Sequence, residues 1–493
     1  MKNLFTLLSL LILASSPLFG QVLIEAVGIS APNLDVSNST VVGQATINPT
    51  QAGKVIVRFD GQCYADVGDR IVLAASNTTN WGVNDGNIGV EVVNGDVDHI
   101  PFSHSRVYDV NPGSHTFYAV AHNYVETDGD GLAGIYATLT VEFYPANLAI
   151  IGSQGISESN LDVSNSTVVG QVTINPTQAG TVVVRFDGQC YADVGDRIVL
   201  AASNTTNWGV NDGNIGVEVV DGDVDHIPFS HSRVYDVDAG SQTFYAVAHN
   251  YVETDGDGLA SIYATLTVEF YPASTATISS QGISESNLDV SNSTVAGQVT
   301  INPTQAGKVI VHFDGQCYAD VGDRIVLAAS NTTNWGVNDG SVGVEVVDGD
   351  VNHSPFSHTR VYDVDAGSQT FYAVAHNYVE TDGDGLASIY ATLTVKYVPN
   401  SNLVAIDNPS VEAPKIDIYP NPNQGMINVT GSTFNDGLVQ IQILNLQGQT
   451  LHEELVWLSN NNLDVEYLNL KGIHFVKLIG KNFEVTKKVL FIK

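Results

Sequence analysis

The stretch "IYATLTVEF" alternates strictly, with Ile135, Ala137, Leu139, Val141 and Phe143 on one face and Tyr136, Thr138, Thr140 and Glu142 on the other. A period of two is the signature of a strand with one face on a core and the other in water. "KVIVRF" repeats it with Val55, Val57 and Phe59 inward. "RIVLAAS", "NIGVEVV", "FSHSRVYDV" and "SHTFYAVAH" read as further strands, separated by Gly, Asp and Asn turn signals. No stretch in this part of the chain sustains a helical period. Roughly seven to nine short strands of this kind predict an antiparallel β-sandwich, immunoglobulin-like or jelly-roll, and the pattern leaves that choice open.

The pattern occurs three times. "NLDVSNSTV" starts at Asn33, Asn160 and Asn287, an offset of 127 residues, and "NTTNWGVNDG" recurs unaltered at Asn77, Asn204 and Asn331. That period is too long for a solenoid unit and suits an autonomous domain. The expected organisation is a signal peptide over 1–20, sandwich copies over 21–147, 148–274 and 275–398, a linker over 399–414 and a smaller β-sandwich over 415–493. Junctions such as "YPANLAIIGSQGISESN" carry Pro, Gly and Ser without clean alternation and read as short linkers. The copies are therefore expected to follow one another in line, each folding by itself.

Composition narrows the class. The opening "MKNLFTLLSLLILASSPLFG" has Lys2, an apolar run from about Leu4 to Ala14 and small residues after it, the build of a secretory signal peptide. No run of roughly 18 apolar residues follows, so no transmembrane segment is expected. A net charge of −34 repels phosphate backbones and anionic lipid, which excludes nucleic acid as a partner. Cys63, Cys190 and Cys317 fall one per copy, and an odd count cannot close a disulfide framework. Each lies in "FDGQCYADVGDR" beside no basic residue, and each is read as a buried thiol packing as a small hydrophobe.

From Ile416 the character changes, and the chain ends on "VTKKVLFIK". This tail holds "IYPNPNQGMINV", with Tyr419, Pro420, Asn421, Pro422 and Gly425; "VQIQILNLQGQTL", with Gly448; "LKGIHFVKL", with Gly472; and the basic pair Lys487 and Lys488. In those motifs and their order it resembles the C-terminal sorting domain of proteins exported by the type IX secretion system of Bacteroidetes. His474 stands where that family more often has Tyr. The resemblance implies recognition by the type IX machinery, passage across the outer membrane, and release or attachment at the surface.

The copies lack the arrangements of common catalysts: no G-x-S-x-G, no H-E-x-x-H, no paired C-x-x-C. In "FSHSRVYDV" a strand puts His104 and Arg106 on one face and Ser103, Ser105 and Asp109 on the other, separating nucleophile from base. No enzymatic activity is expected. Calcium is the candidate cation, because "ETDGDGLA" offers Glu126, Asp128 and Asp130 and "NGDVDH" offers Asp96 and Asp98 as hard oxygen ligands, although the spacing is not that of an EF-hand. The same Asp-Gly pairs also suit hairpin turns.

The repeated loop sets Trp81 beside Asn84 and Asp85, Trp208 beside Asn211 and Asp212, and Trp335 beside Asn338 and Asp339. An indole face flanked by planar amides and carboxylates suits a sugar ring, and loops on a rigid sandwich are where binding resides. The competing expectation is that the indole folds back and plugs the end of its own sandwich. "AGSQTFYAVAHNY" resembles the penultimate strand of C1q- or TNF-like jelly rolls, and no role is carried over from it. Tandem copies favour binding through avidity. The sequence thus points to a secreted or surface multivalent, adhesin-like binder of glycans or another surface ligand. The alternatives are a spacer or coat protein without a ligand, and a secreted carbohydrate-active hydrolase.

Overall fold

The computed structural model describes residues 22–81, 87–92, 100–127, 129–208, 214–219, 227–335, 341–346, 354–381, 383–400, 417–419, 426–430, 438–445, 450–457, 462–464, 470–480 and 483–492. The regular elements among them are all strands, and the chain divides into two compact units, Met1–Leu403 and Val404–Lys493.

The first copy contributes β1 (Leu23–Asp35), β2 (Thr40–Ile47), β3 (Gly53–Tyr64), β4 (Arg70–Ser76), β5 (Ile88–Glu91), β6 (Ile100–Val110), β7 (His115–Val125) and β8 (Leu132–Pro145). One sheet has the order β1-β8-β3-β6 and the other β2-β7-β4-β5, antiparallel throughout. Apart from the β4–β5 hairpin, successive strands pass back and forth between the two sheets, which makes the sandwich a jelly roll. The second copy, β9 (Ile150–Asp162) to β16 (Leu259–Pro272), and the third, β17 (Thr277–Asp289) to β24 (Leu386–Pro399), repeat the topology. "AGSQTFYAVAHNY" of the second copy ends in Gln242–Val252, the penultimate strand of its eight.

Alternation builds the core as read. Val55, Val57 and Phe59 of β3 and Leu139, Val141 and Phe143 of β8 meet Leu73 and Ala75 of β4 and Phe117 and Ala119 of β7, all buried. β1 shifts register between Ala31 and Leu34, where Asn33 takes φ 51°, a left-handed conformation that Asn tolerates better than most residues.

The outward faces overturn two expectations. Thr140 and Glu142, on the polar face of β8, are fully buried, as are Arg58 and Asp60 of β3. What covers them is the other copies. Ser105 Oγ donates to Asp187 Oδ2 (2.5 Å), Ser232 Oγ to Asp314 Oδ1 (2.7 Å) and Thr359 Oγ1 to Asp60 Oδ2 (2.5 Å). Gln189, Gln316 and Gln62 likewise accept from the amides of Gly89, Gly216 and Gly343. Copy one thus meets copy two, copy two meets copy three, and copy three returns to copy one. Pro101, Phe102 and Ser103 and their counterparts from Pro228 and Pro355 converge on one narrow central space.

The copies are therefore not in line but closed into a pseudo-threefold ring. Nor are they independent, because a further core is shared by all three: Ile24, Ile56 and Tyr144 pack with Val183 and Tyr271 and with Ile310 and Val398. The junctions are not linkers either. After a turn closed by Leu148 N to Pro145 O (3.0 Å), "IIGSQGISESNLD" is β9, paired along its length with β16. Its Gly and Ser residues hid the strand because one of its faces is largely exposed.

In the tail, β25 (Asp417–Tyr419), β26 (Met426–Thr430), β27 (Leu438–Leu444), β28 (Thr450–Trp457), β29 (Asn462–Asp464), β30 (Gly472–Gly480) and β31 (Phe483–Phe491) form sheets β25-β26-β29 and β28-β27-β30-β31. Ile441, Ile443, Val476, Leu478, Val489 and Phe491 are buried, and His474 packs edge-on against Phe491 at 5.5 Å. Tyr419 lies in β25, Gly472 opens β30 with φ 83°, and Lys487 and Lys488 are exposed on β31. Pro420, Asn421, Pro422, Gly425 and Gly448 lie outside the described residues.

Candidate binding site

β7 alternates Phe117, Ala119, Ala121 and Asn123 inward with Tyr118, His122 and Tyr124 outward. The chain leaving β4 is bent back toward that outer face by short polar turns: Ser76 Oγ accepts from Thr78 N (3.0 Å), and Ser39 Oγ donates to Asn80 Oδ1 (3.1 Å). Trp81 then lies flat on His122, ring centres 5.2 Å apart and planes 13° apart, with Tyr124 edge-on at 5.6 Å. Trp208 repeats this on His249 (5.3 Å, 15°) and Tyr251 (5.6 Å), and Trp335 on His376 (5.9 Å, 11°) and Tyr378 (5.9 Å).

The indoles are half-buried, and each folds back onto its own sandwich, but onto an outward-facing histidine of the sheet and not into the core. The tyrosines beside them are 56%, 54% and 57% exposed at Tyr124, Tyr251 and Tyr378. Neither the histidines nor the tyrosines were singled out from the sequence, although "AHNYV" signals them by alternation around buried Asn123. Asn84, Asp85, Asn211, Asp212, Asn338 and Asp339 lie outside the described residues.

Arginines complete the patch. Arg197 sits over the Tyr251 ring at 5.0 Å and Arg324 over Tyr378 at 5.2 Å. In the third copy Trp335, Tyr378, Arg324 and Ser341 line a recess of about 330 Å³ together with Gln62, which belongs to the first copy. In this copy the aromatic site therefore lies at a seam of the ring.

Of the predicted metal ligands, Asp96, Asp98 and Asp128 lie outside the described residues, and Glu126 and Asp130 are exposed. In the second copy Asp255 and Asp257, the counterparts of Asp128 and Asp130, gather with Asp193, their carboxylate oxygens within 4.8 Å of one another. Asp193 had not been anticipated, because it comes from the turn after "FDGQCY" on a separate loop. Partial desolvation and repulsion from Asp255 and Asp257 raise its carboxyl above the usual range. Turn chemistry accounts for part of the cluster: Leu259 N donates to Asp257 Oδ1 (2.8 Å), as Leu132 N does to Asp130 Oδ1 (2.8 Å). With one oxygen from each, the three carboxylates supply three of the six to eight ligands that calcium takes, leaving the remainder to their second oxygens, water or backbone.

Ser103 and His104 point apart. Ser103 Oγ donates to Asp60 Oδ1 (2.5 Å), whereas His104 Nδ1 accepts from Ala75 N (2.9 Å), and burial pushes the imidazole down to about 3, so it stays neutral. The three thiols are free and buried.

The fold and these patches define a closed ring of three jelly rolls with an aromatic site on the outer face of each, joined to an export tail. Residues 417–493 match the family described as secretion system C-terminal sorting domain. The chain is accordingly an exported protein, secreted or held at the outer surface, and no helix among its described residues is long and apolar enough to cross a membrane. No curated protein matches it. Among solved structures it is similar to β-glucuronidase of Faecalibacterium prausnitzii, at 8% identity and TM-score 0.14, over 45% of this chain and 47% of that one. It is likewise similar to β-glucuronidase of Ruminococcus gnavus, at 8% identity and TM-score 0.14, over 45% and 46%. The chain thus spans less than half of either structure, and a TM-score of 0.14 carries no argument about site or activity.

Proposed function

We propose that the protein is an exported, trivalent adhesin-like binder whose aromatic patches take up glycan rings. The observation that carries this reading is the threefold occurrence of a half-buried indole stacked on histidine beside a tyrosine more than half exposed. Aromatic faces held on a rigid strand meet the CH face of a sugar without ordering cost, and neighbouring Arg, Gln and Ser groups offer partners to its hydroxyls. Three equivalent sites on one ring convert weak single contacts into avidity for a surface that displays many copies of the ligand. Hydrolysis, by contrast, gains nothing from triplication.

The test is a glycan array probed with the mature chain and with the triple variant Tyr124→Ala, Tyr251→Ala, Tyr378→Ala, whose exposed positions leave the core intact. Binding by the parent and its loss in the folded variant support the reading. A parent that binds no glycan, or a variant that binds as well, overturns it. The Asp193, Asp255 and Asp257 cluster favours calcium as an auxiliary at the loop following Tyr251. Calorimetric titration with calcium, with Asp193→Asn as control, decides that point.

A further inference from the structure

The third copy departs from the other two inside the ring. Arg58 and Arg185 have His312 as their counterpart, Glu142 and Glu269 have Lys396, and Tyr144 and Tyr271 have Val398. None of these side chains is more than 3% exposed, so the differences are not surface drift.

The three departures fit one another. Arg58 donates to both Glu142 and Glu269, one from its own copy and one from the next. Lys396 closes the circuit from the third copy, 2.6 Å from Glu142 Oε2 and 3.0 Å from Glu269 Oε2. Tyr144 OH and Tyr271 OH donate to the same two carboxylates at 2.6 Å and 2.5 Å, and their rings lie 5.2 Å and 5.0 Å from the Lys396 ammonium. Two carboxylates and two cations thus alternate in one buried circuit. His312 supplies a neutral group where a third guanidinium would stand: its Nδ1 is 2.8 Å from Thr359 Oγ1, which in turn donates to Asp60 Oδ2. Burial, then Arg185, Arg58 and Lys396, hold that imidazole well below its ordinary value.

We infer that His312, Lys396 and Val398 form a register key, so that each seam face fits the adjoining copy of its own chain and the ring closes with one His/Lys copy and two Arg/Glu copies. Near-identical copies are otherwise free to exchange between chains, as swapped domains do. A second His/Lys copy from another chain, seated in place of an Arg/Glu copy, would exchange one of the two carboxylates for a second buried ammonium, leaving a single carboxylate between two lysines, and such a mismatch excludes the wrong partner. The mature protein is then a self-closed monomer with its sites in fixed order.

The experiment compares three full-length mature variants by thermal melting and light-scattering mass. Lys396→Glu is expected to lower the midpoint by on the order of 5–10 °C or to raise the mass. The rotated variant R58H/E142K/Y144V/H312R/K396E/V398Y moves the key to the first copy, and is expected to be a monomer melting within about 3 °C of the parent. Lys308→Glu, which breaks only the surface pair of a half-buried lysine with exposed Asp363 on the neighbouring strand, is expected to shift the midpoint by less than about 2 °C. A monomeric Lys396→Glu variant with the parent's midpoint overturns the key. So does a rotated variant no more stable than Lys396→Glu alone, even where the latter fails to fold.

Discussion

Arg58 of the first copy and Glu269 of the second are 211 residues apart in sequence and form a fully buried ion pair across the first seam. Each charge needs two partners: Arg58 also donates to Glu142, and Glu269 also meets Lys396, so loss of either member leaves a buried ion only half compensated. The pair therefore ties the burial of one copy's strand to the presence of the next copy. With Lys396 on the same carboxylate, all three copies share the dependence.

Glu269→Gln should destabilise the ring by about 3–5 kcal/mol, the range for removing one member of a buried pair. The loss should appear as one shifted transition for all three copies, since the shared core around Tyr144, Tyr271 and Val398 leaves none of them complete alone. Urea unfolding followed by circular dichroism and by Trp fluorescence measures this. Two or three separate ring transitions would contradict the shared-core account.

Stability should fall on both sides of an interval near pH 5. Burial alone would raise the Glu269 carboxyl, but Arg58 and Lys396 overcome it and hold the group down at about 2. Its contribution is present above the unfolded value near 4.5 and is lost as pH falls toward 2. Asp187 behaves oppositely: burial pushes it up to about 7 against the pull of Arg185. Its contribution is complete below the unfolded value near 3.8 and is lost as pH rises through 7. Asp187→Asn, which still accepts from Ser105, should match the parent near pH 3.5, gain on it steadily up to pH 7 and hold a constant lead above. Midpoints measured across that range check the slope and its sign.

How far the sequence revealed this molecule depends on where each strand's second face goes. The inward faces were legible, because Leu139, Val141 and Phe143 alternate against a core made within one copy. The outward faces were misread. Arg58, Asp60 and Glu142 look like solvent-facing residues by period, yet their partners come from other copies, as in the contact of Thr359 with Asp60 across 299 residues. No local pattern carries that information. What did carry a trace was the mismatch between copies at His312 and Lys396, visible by laying the repeats side by side. The Trp81 patch was half legible: the indole stood out as a repeated loop residue, but His122 and Tyr124 were passed over as ordinary strand positions.

The cysteines should stay inert in the native protein. Cys63, Cys190 and Cys317 are all 0% exposed, and burial pushes the Cys63 thiol up to about 12 and the other two further in the same direction. Only the thiolate attacks an alkylating reagent, so neither access nor charge state permits reaction. Iodoacetamide should leave the native mass unchanged over hours at pH 8 and add three groups in denaturant. Native labelling of any one of them would show that its strand opens locally.

His249→Ala should separate the two contributions that the aromatic patch makes. The histidine lies under the Trp208 indole, so its removal uncovers the indole's inner face and loosens its orientation. An aromatic pair of this kind contributes about 0.5–1.5 kcal/mol, small against the whole ring, and the fold should survive. Trp fluorescence in the variant should be more readily quenched by acrylamide. Binding to a multivalent glycan surface should fall modestly, because two intact sites remain, whereas the triple change with His122→Ala and His376→Ala should reduce it far more than threefold through lost avidity. Loss strictly in proportion to the number of altered sites would show that the three patches act singly, and that the ring's geometry does not bring them to bear on one surface.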